Sequence, residues 1–122
     1  MPTPTALAGA PPLSKARRAG DLLFVSGQLP RGADGQIVAG DIVAQTRQAL
    51  ANVRATLAEH EATPDDVVKV AVWLTDRSHY EAFNEVYREV FGAPFPARSV
   101  VVSQLVADAD VEIEAIAHLG RS

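Results

Sequence analysis

Ile42, Thr46, Leu50, Val53 and Leu57 recur at spacings of three and four, while Arg47, Arg54 and Glu59 fall elsewhere on the same wheel. That period predicts an amphipathic helix with one buried stripe, N-capped by Asp41 and ending near His60 to Ala62, ahead of the stretch TPDD. A second helix is expected to begin at Ser78, with Glu81 three residues on completing a capping box. Its stripe is Phe83, Val86, Tyr87 and Val90, and GAPFP stops it. Between the helices, VVKVAVWLT (67–75) is a continuous β-branched run, as expected of a central strand covered on at least one face. LSKARRAGDLLFVSG (13–27) reads as two short strands meeting near Ala19-Gly20-Asp21. QLPRGADGQIVAG (28–40) carries Gly, Pro and Asp34-Gly35 turn signals, hence a surface loop or small β-excursion. ARSVVVSQL and VEIEAIAHL end the chain as two more strands around a turn at VADAD. The order β-β-α-β-α-β-β predicts an α+β layer, one sheet with both helices on one face.

In the last strand Val111, Ile113, Ala115, Ala117 and Leu119 point one way, and Glu112, Glu114, Ile116 and His118 the other. The first set suits the helices. The second is too polar for a core and, at Ile116, too apolar to be merely wet. Arg98, Val100 and Val102 likewise share one face of their strand. A half-apolar sheet face with charges at set places points to association with another subunit. Arg98 itself is either a solvated edge charge or a cation waiting for an anion.

Composition narrows the classes. The chain has 122 residues, 48% hydrophobic and 21% charged, which fits a single domain over 1–122 with a loose Pro-, Ala- and Thr-rich lead-in at 1–12. It has no cysteine, so disulfides, thiolate metal sites and a cysteine nucleophile are excluded. A net charge of −4 argues against general affinity for nucleic acid. Without a signal-peptide pattern or an apolar run near the ~20 residues of a membrane span, the expectation is a soluble, cytoplasmic protein. His60, His79 and His118 have no ligand-like spacing, so no metal is expected. Lys15, Arg17 and Arg18 read as a solvated edge strand.

LLFVSGQLP, QALANVRATL, DVVKVAVWLTD, FNEVYREVF, FPARS and VEIEAIA occur in that order. In these blocks the chain resembles the RidA/YjgF family of reactive-intermediate deaminases along nearly its whole length, from about residue 12. The resemblance implies a chorismate-mutase-like α+β fold with a mixed sheet, and a homotrimer with a central β-barrel and clefts between subunits. The implied activity is hydrolysis of 2-imino and 2-enamino acids, 2-aminoacrylate among them, to 2-oxo acids and ammonia without metal or organic cofactor. By the same resemblance Arg98 binds the substrate carboxylate and Glu112 orients the attacking water. Asn84, Ser26, Gly27 and the backbone at Val100 line the pocket. Glu114 shares the face of Glu112 but is read as a barrel or surface charge. Three positions depart from the family's usual residues. Leu13 stands where a tyrosine closes over the substrate, Lys15 where a glutamine is usual, and Val100 where a cysteine is usual.

A guanidinium suits the Arg98 role because it offers a carboxylate two parallel donors, whereas lysine offers a point charge. The expected partner is a small imine or 2-oxo acid, with no nucleic acid and no membrane. The alternative is a non-catalytic trimeric module that binds small carboxylates or a protein partner, which occlusion of the cleft by Leu13 and Val100 would favour.

Overall fold

The computed structural model describes residues 10–120. The lead-in expected over 1–12 therefore lies largely outside the described residues. The chain runs β1 (Ala16–Ala19), β2 (Leu22–Gln28), α1 (Ile42–Glu59), β3 (Val67–Leu74), α2 (Tyr80–Val90), β4 (Ala97–Val102) and β5 (Val111–His118). These strands form one mixed sheet in the order β1-β2-β5-β3-β4. The α+β layer expected from the periodicity is the one observed.

β1 and β2 make a hairpin in which Ala19 faces Leu22 across the two-residue loop Gly20-Asp21. Gly20 takes φ +59° there, a conformation open to glycine at little steric cost. The 28–40 loop closes on itself through a single Arg31–Ile37 bridge. Asn52 of α1 fastens it by donating to the carbonyls of Leu29 and Arg31, each at 3.0 Å. α1 begins at Asp41, whose carboxylate accepts the Ala44 N–H at 3.0 Å, and it buries Thr46, Ala49, Leu50, Val53 and Leu57.

Two expectations need correction. The second helix does not start with a Ser78–Glu81 capping box. Asp76 accepts the Ser78 N–H at 2.8 Å and opens a 3-10 turn over Arg77–His79, so α2 begins at Tyr80 with no side chain capping it. A carboxylate just upstream is the better acceptor, and it took the N–H that would have begun the box. The last two strands, though adjacent in sequence, are not neighbours. β5 lies between β2 and β3, antiparallel to both, whereas β4 runs parallel to β3 at the sheet edge. A parallel pair needs a crossover, and α2 supplies it.

The core lies between the helices and one sheet face. Leu23, Val25, Val70, Val72, Leu74, Val111, Ile113, Ala115 and Ala117 pack there against Leu50, Val53 and Leu57 of α1 and Phe83 and Val86 of α2. Each fully buried Val, Leu, Ile or Phe contributes roughly 1.5–3 kcal/mol. A polar latch ties α1 to the start of β5. The Asp110 N–H donates to Gln45 Oε1 at 2.8 Å, and the Asp110 carboxylate accepts from the Thr75 hydroxyl at 2.8 Å. Gln45 is buried, so Gln45→Ala strands the Asp110 N–H and should cost about 1–3 kcal/mol. Urea unfolding that gives a loss within a few tenths of zero would show the latch to be idle.

The opposite sheet face is open. It exposes Leu22 and Phe24 of β2 and Val101 of β4. Beside them stand Glu112, Glu114 and Ile116, each half-buried, and the exposed His118.

Candidate functional site

Of the seven residues singled out by resemblance, six fall into two groups and Leu13 stands apart from both. Arg98 lies opposite Val70 in the β3–β4 register, and Val70 is fully buried under the helices. Arg98 therefore points to the helix side of the sheet. Glu112 lies opposite Trp73, on the open side. Within one protomer these two side chains are on opposite faces and do not converge. The expected sharing of a face among Arg98, Val100 and Val102 is observed, but the face is the one α2 covers, not the one that carries Glu112.

On the helix side, the Arg98 guanidinium carbon sits 4.8 Å from the centroid of Tyr87 and 5.7 Å from those of Tyr80 and Phe83. One terminal nitrogen donates to the Tyr80 hydroxyl at 3.1 Å. Residues 80, 83 and 87 recur along one flank of α2, so the helix lays a row of rings against the cation. The described ion pairs are Lys15–Glu59, Arg18–Asp21 and Arg47–Glu89. Arg98 has no carboxylate partner among the described residues. Burial raises the Tyr87 phenol above its ordinary pKa, and the nearby Arg98 charge opposes that only in part. Among the described residues, Asn84 Oδ1 is buried without a hydrogen-bond partner, and the buried Tyr87 hydroxyl has only the adjacent Arg98 guanidinium, outside good hydrogen-bond geometry. Asn84, Tyr87, Phe95 and Arg98 line a cavity of about 280 Å³. Val100 lines a second one, of about 520 Å³, that Arg98 and Tyr80 share with the first. Two side chains with unmet polar atoms thus flank a half-buried cation that faces open space, an arrangement suited to a small anion with further polar groups.

On the open side, β2 bulges. Val25 faces Ala115 and Gln28 faces Ile113, so Ser26 and Gly27 together oppose Glu114. The Ser26 hydroxyl donates to the Ser14 carbonyl at 2.5 Å. The Glu112 carboxylate lies directly over Gly27, where an added Cβ would stand 3.0 Å from Glu112 Cδ and overlap Oε2. Glycine is needed here for close approach rather than for its φ. Burial pushes the Glu112 carboxyl above its ordinary pKa, and the neighbouring Glu114 charge adds to the rise. Gly27→Ala should displace that carboxylate while the fold survives, since overpacking costs typically 1–3 kcal/mol. Retained unfolding behaviour with at least a tenfold loss of activity is the expected pair of results.

Leu13 is 63% exposed and precedes β1, on neither side of Arg98. It does not occlude the cavities beside Arg98, and Val100 forms a wall there without closing it. Lys15 and Arg18 pair with Glu59 and Asp21, in keeping with a solvated edge. His60, His79 and His118 stand on the end of α1, the 3-10 turn and the end of β5. Sequence reasoning missed Tyr80 and Tyr87 as site residues because it read Tyr87 into the core stripe. Their spacing of seven, two helical turns, was the available signal.

Comparison with known proteins places this geometry. The model for the family described as Endoribonuclease L-PSP matches residues 3–119. The chain belongs to the RidA/YjgF family. A RutC family protein of Pyrococcus horikoshii is 48% identical over 109 residues, covering 88% of this chain and 86% of the relative. A 2-iminobutanoate/2-iminopropanoate deaminase of Dermatophagoides farinae is 37% identical over 116 residues, 93% of this chain and 91% of that one. The crystal structure of RidA from the Antarctic bacterium Psychrobacter sp. superposes with a TM-score of 0.85 at 34% identity, covering 91% of each chain. The fold is thus the chorismate-mutase-like arrangement of the family, which includes imine deaminases. No helix among the described residues is long and apolar enough to cross a membrane.

Proposed function

We propose that this protein hydrolyses reactive 2-imino and 2-enamino acids to 2-oxo acids and ammonia, with Arg98 holding the substrate carboxylate. The observation that carries the reading is the Arg98 guanidinium, half-buried against three aromatic rings, open to two cavities and without an acidic partner among the described residues. Such a cation is costly to leave unpaired, and a carboxylate relieves that cost with charge-assisted hydrogen bonds.

The second group comes from another copy. Because Arg98 and Glu112 face opposite sides of one sheet, a complete site requires the Arg98 side of one protomer to meet the Glu112 side of a second. The open face, with Leu22, Phe24 and Val101 exposed, is suited to that contact. A homotrimer with three such clefts, acting in the cytoplasm without metal or cofactor, is the assembly this reading calls for. In each cleft Ser26, Gly27 and Glu112 of one copy and Asn84, Val100 and Arg98 of another enclose the substrate, with Leu13 near the hairpin rim.

In the reaction, Arg98 fixes the carboxylate so that the C=N carbon faces a water. Glu112 orients that water and takes its proton as the C–O bond forms. The C=N π electrons pass to nitrogen and Glu112 returns the proton there, which completes the carbinolamine. As its hydroxyl proton passes to the amine, the C=O bond forms, the C–N bond breaks and ammonia leaves. Positioning together with one proton-transfer group supplies several orders of magnitude, enough for a substrate that already hydrolyses in water.

The test is a coupled assay in which an amino-acid oxidase generates imines from a panel of amino acids and semicarbazide traps what escapes hydrolysis. Less trapped product than in buffer is the expected result. No difference across the panel would overturn the hydrolase reading and leave a module that binds small carboxylates.

A further inference from the structure

The two cavities beside Arg98 differ in a way that bears on substrate choice. The smaller is lined by the rings of Tyr80, Tyr87 and Phe95, by Asn84 and Pro96, and by two guanidinium groups, Arg88 and Arg98, so it lacks the aliphatic wall of the other. The larger, about 520 Å³, is lined by Leu74, Arg77, Tyr80, Arg98, Val100 and Val102. Its walls are aliphatic apart from the Tyr80 ring and hydroxyl and two guanidinium groups, and no carboxylate among the described residues lines it. Neither Arg77 nor Arg98 forms an ion pair with an acid among the described residues. The nearest candidate in sequence, Asp76, is engaged with the Ser78 N–H at 2.8 Å. Arg98 spends a donor on Tyr80 and keeps the rest. Two like charges lining one cavity disfavour its empty state and favour a ligand with two negative groups.

We propose that the larger cavity selects imino acids with a second carboxylate, Arg98 holding the one next to the C=N carbon and Arg77 the distal one. The substrate class is then the 2-imino dicarboxylic acids of four or five carbons. Their methylene chain lies along Val100 and Val102, and the second carboxylate reaches the exposed Arg77 at the cavity rim. This rests on the deaminase reading above, and it makes Arg77 the residue that sets specificity while Arg98 and Glu112 serve every substrate. The hydrolysis itself is unchanged: water supplies the new carbonyl oxygen and ammonia leaves.

The measurement is the ratio of kcat/KM for the imine generated from L-glutamate to that for the imine generated from 2-aminobutanoate, each made by its oxidase and followed by semicarbazide trapping. Wild type should favour the dicarboxylic imine. Arg77→Gln should lower the ratio by roughly tenfold, the scale of one charge-assisted hydrogen bond in a partly wet cleft. Arg77→Glu should lower it further and Arg77→Lys less. Arg54→Gln, which removes one charge from the exposed side of α1, should leave the ratio in place. A wild-type preference for the monocarboxylic imine, or an equal loss on both imines in Arg77→Gln, would overturn the proposal; the latter would show that Arg77 serves stability or assembly. If neither imine is hydrolysed, the deaminase reading falls, and calorimetric binding of 2-oxoglutarate and 2-oxobutanoate decides on Arg77 alone. Tighter binding of 2-oxoglutarate that is lost in Arg77→Gln sustains the dianion site, and equal binding of the two acids refutes it.

Discussion

Arg98→Ala is expected to lower kcat/KM for every imine by roughly a hundredfold to a thousandfold and to leave the protein folded. The first half follows from what the guanidinium supplies. Removing one partner of a desolvated, hydrogen-bonded charge pair costs about 2–5 kcal/mol, and each 1.4 kcal/mol is a factor of ten. The substrate also loses its anchor, so the C=N carbon no longer rests where water is held. Arg98→Lys should recover only part of the loss, because an ammonium keeps the charge without the paired donors. The second half follows from what Arg98 does not do. It forms no ion pair with an acid among the described residues, and its Tyr80 partner is partly exposed, so the freed hydroxyl can turn to water. The stacking on Tyr80, Phe83 and Tyr87 is worth about 0.5–1 kcal/mol or somewhat more per ring, so the three contacts put the stability loss at roughly 1.5–3 kcal/mol, which a folded domain withstands. Steady-state kinetics beside thermal unfolding separates the two halves. Wild-type turnover in the alanine variant would remove Arg98 from the site.

These roles were only partly legible in the chain. The helices were legible because their stripes repeat over several turns: Leu50, Val53 and Leu57 end up fully buried or nearly so, as their spacing requires. The first hairpin was legible because Gly20 interrupts two strand-like runs. The partnership of β4 and β5 was not, since neither strand's alternation says which neighbour it pairs with. That is decided by α2, whose crossover sends β4 to the far edge and leaves β5 between β2 and β3. The same gap explains the misplaced Arg98. A period of two groups Arg98 with Val100 and Val102, and Glu112 with Glu114, but it does not relate the phase of one strand to that of another. Only the registers, Arg98 beside Val70 and Glu112 beside Trp73, put them on opposite faces. Tyr80 and Tyr87 were hidden for a related reason. Tyr87 does belong to the core, yet its ring also faces the Arg98 cation, which an apolar stripe alone does not show. At Asp76 the failure was local, one acceptor outcompeting another two residues on.

Glu112→Gln is expected to move activity and stability in opposite directions. A general base contributes typically 10²–10⁴-fold, so loss of the carboxylate should lower kcat by about that factor while substrate binding through Arg98 persists. Stability should instead rise at neutral pH. Burial, with Glu114 second, holds the folded-state pKa of Glu112 above its ordinary value. The folded protein therefore takes up this proton more readily than the unfolded chain, and ionised Glu112 is a net cost to folding above both pKa values. As pH falls through the raised folded value that cost fades, and below the unfolded value of about 4.3 both states are neutral and it is gone. Glutamine removes the cost at every pH, so the variant's advantage in melting temperature should be largest near pH 7–8 and smallest near pH 4. The wild type's activity should fall over the same window, because only the ionised carboxylate can accept the proton of water. An advantage that is absent at pH 7, or that grows as pH drops, would mean that a cation from another copy sits on Glu112 in the assembly. A glutamine variant with wild-type kcat would send the proton of the attacking water to a different group.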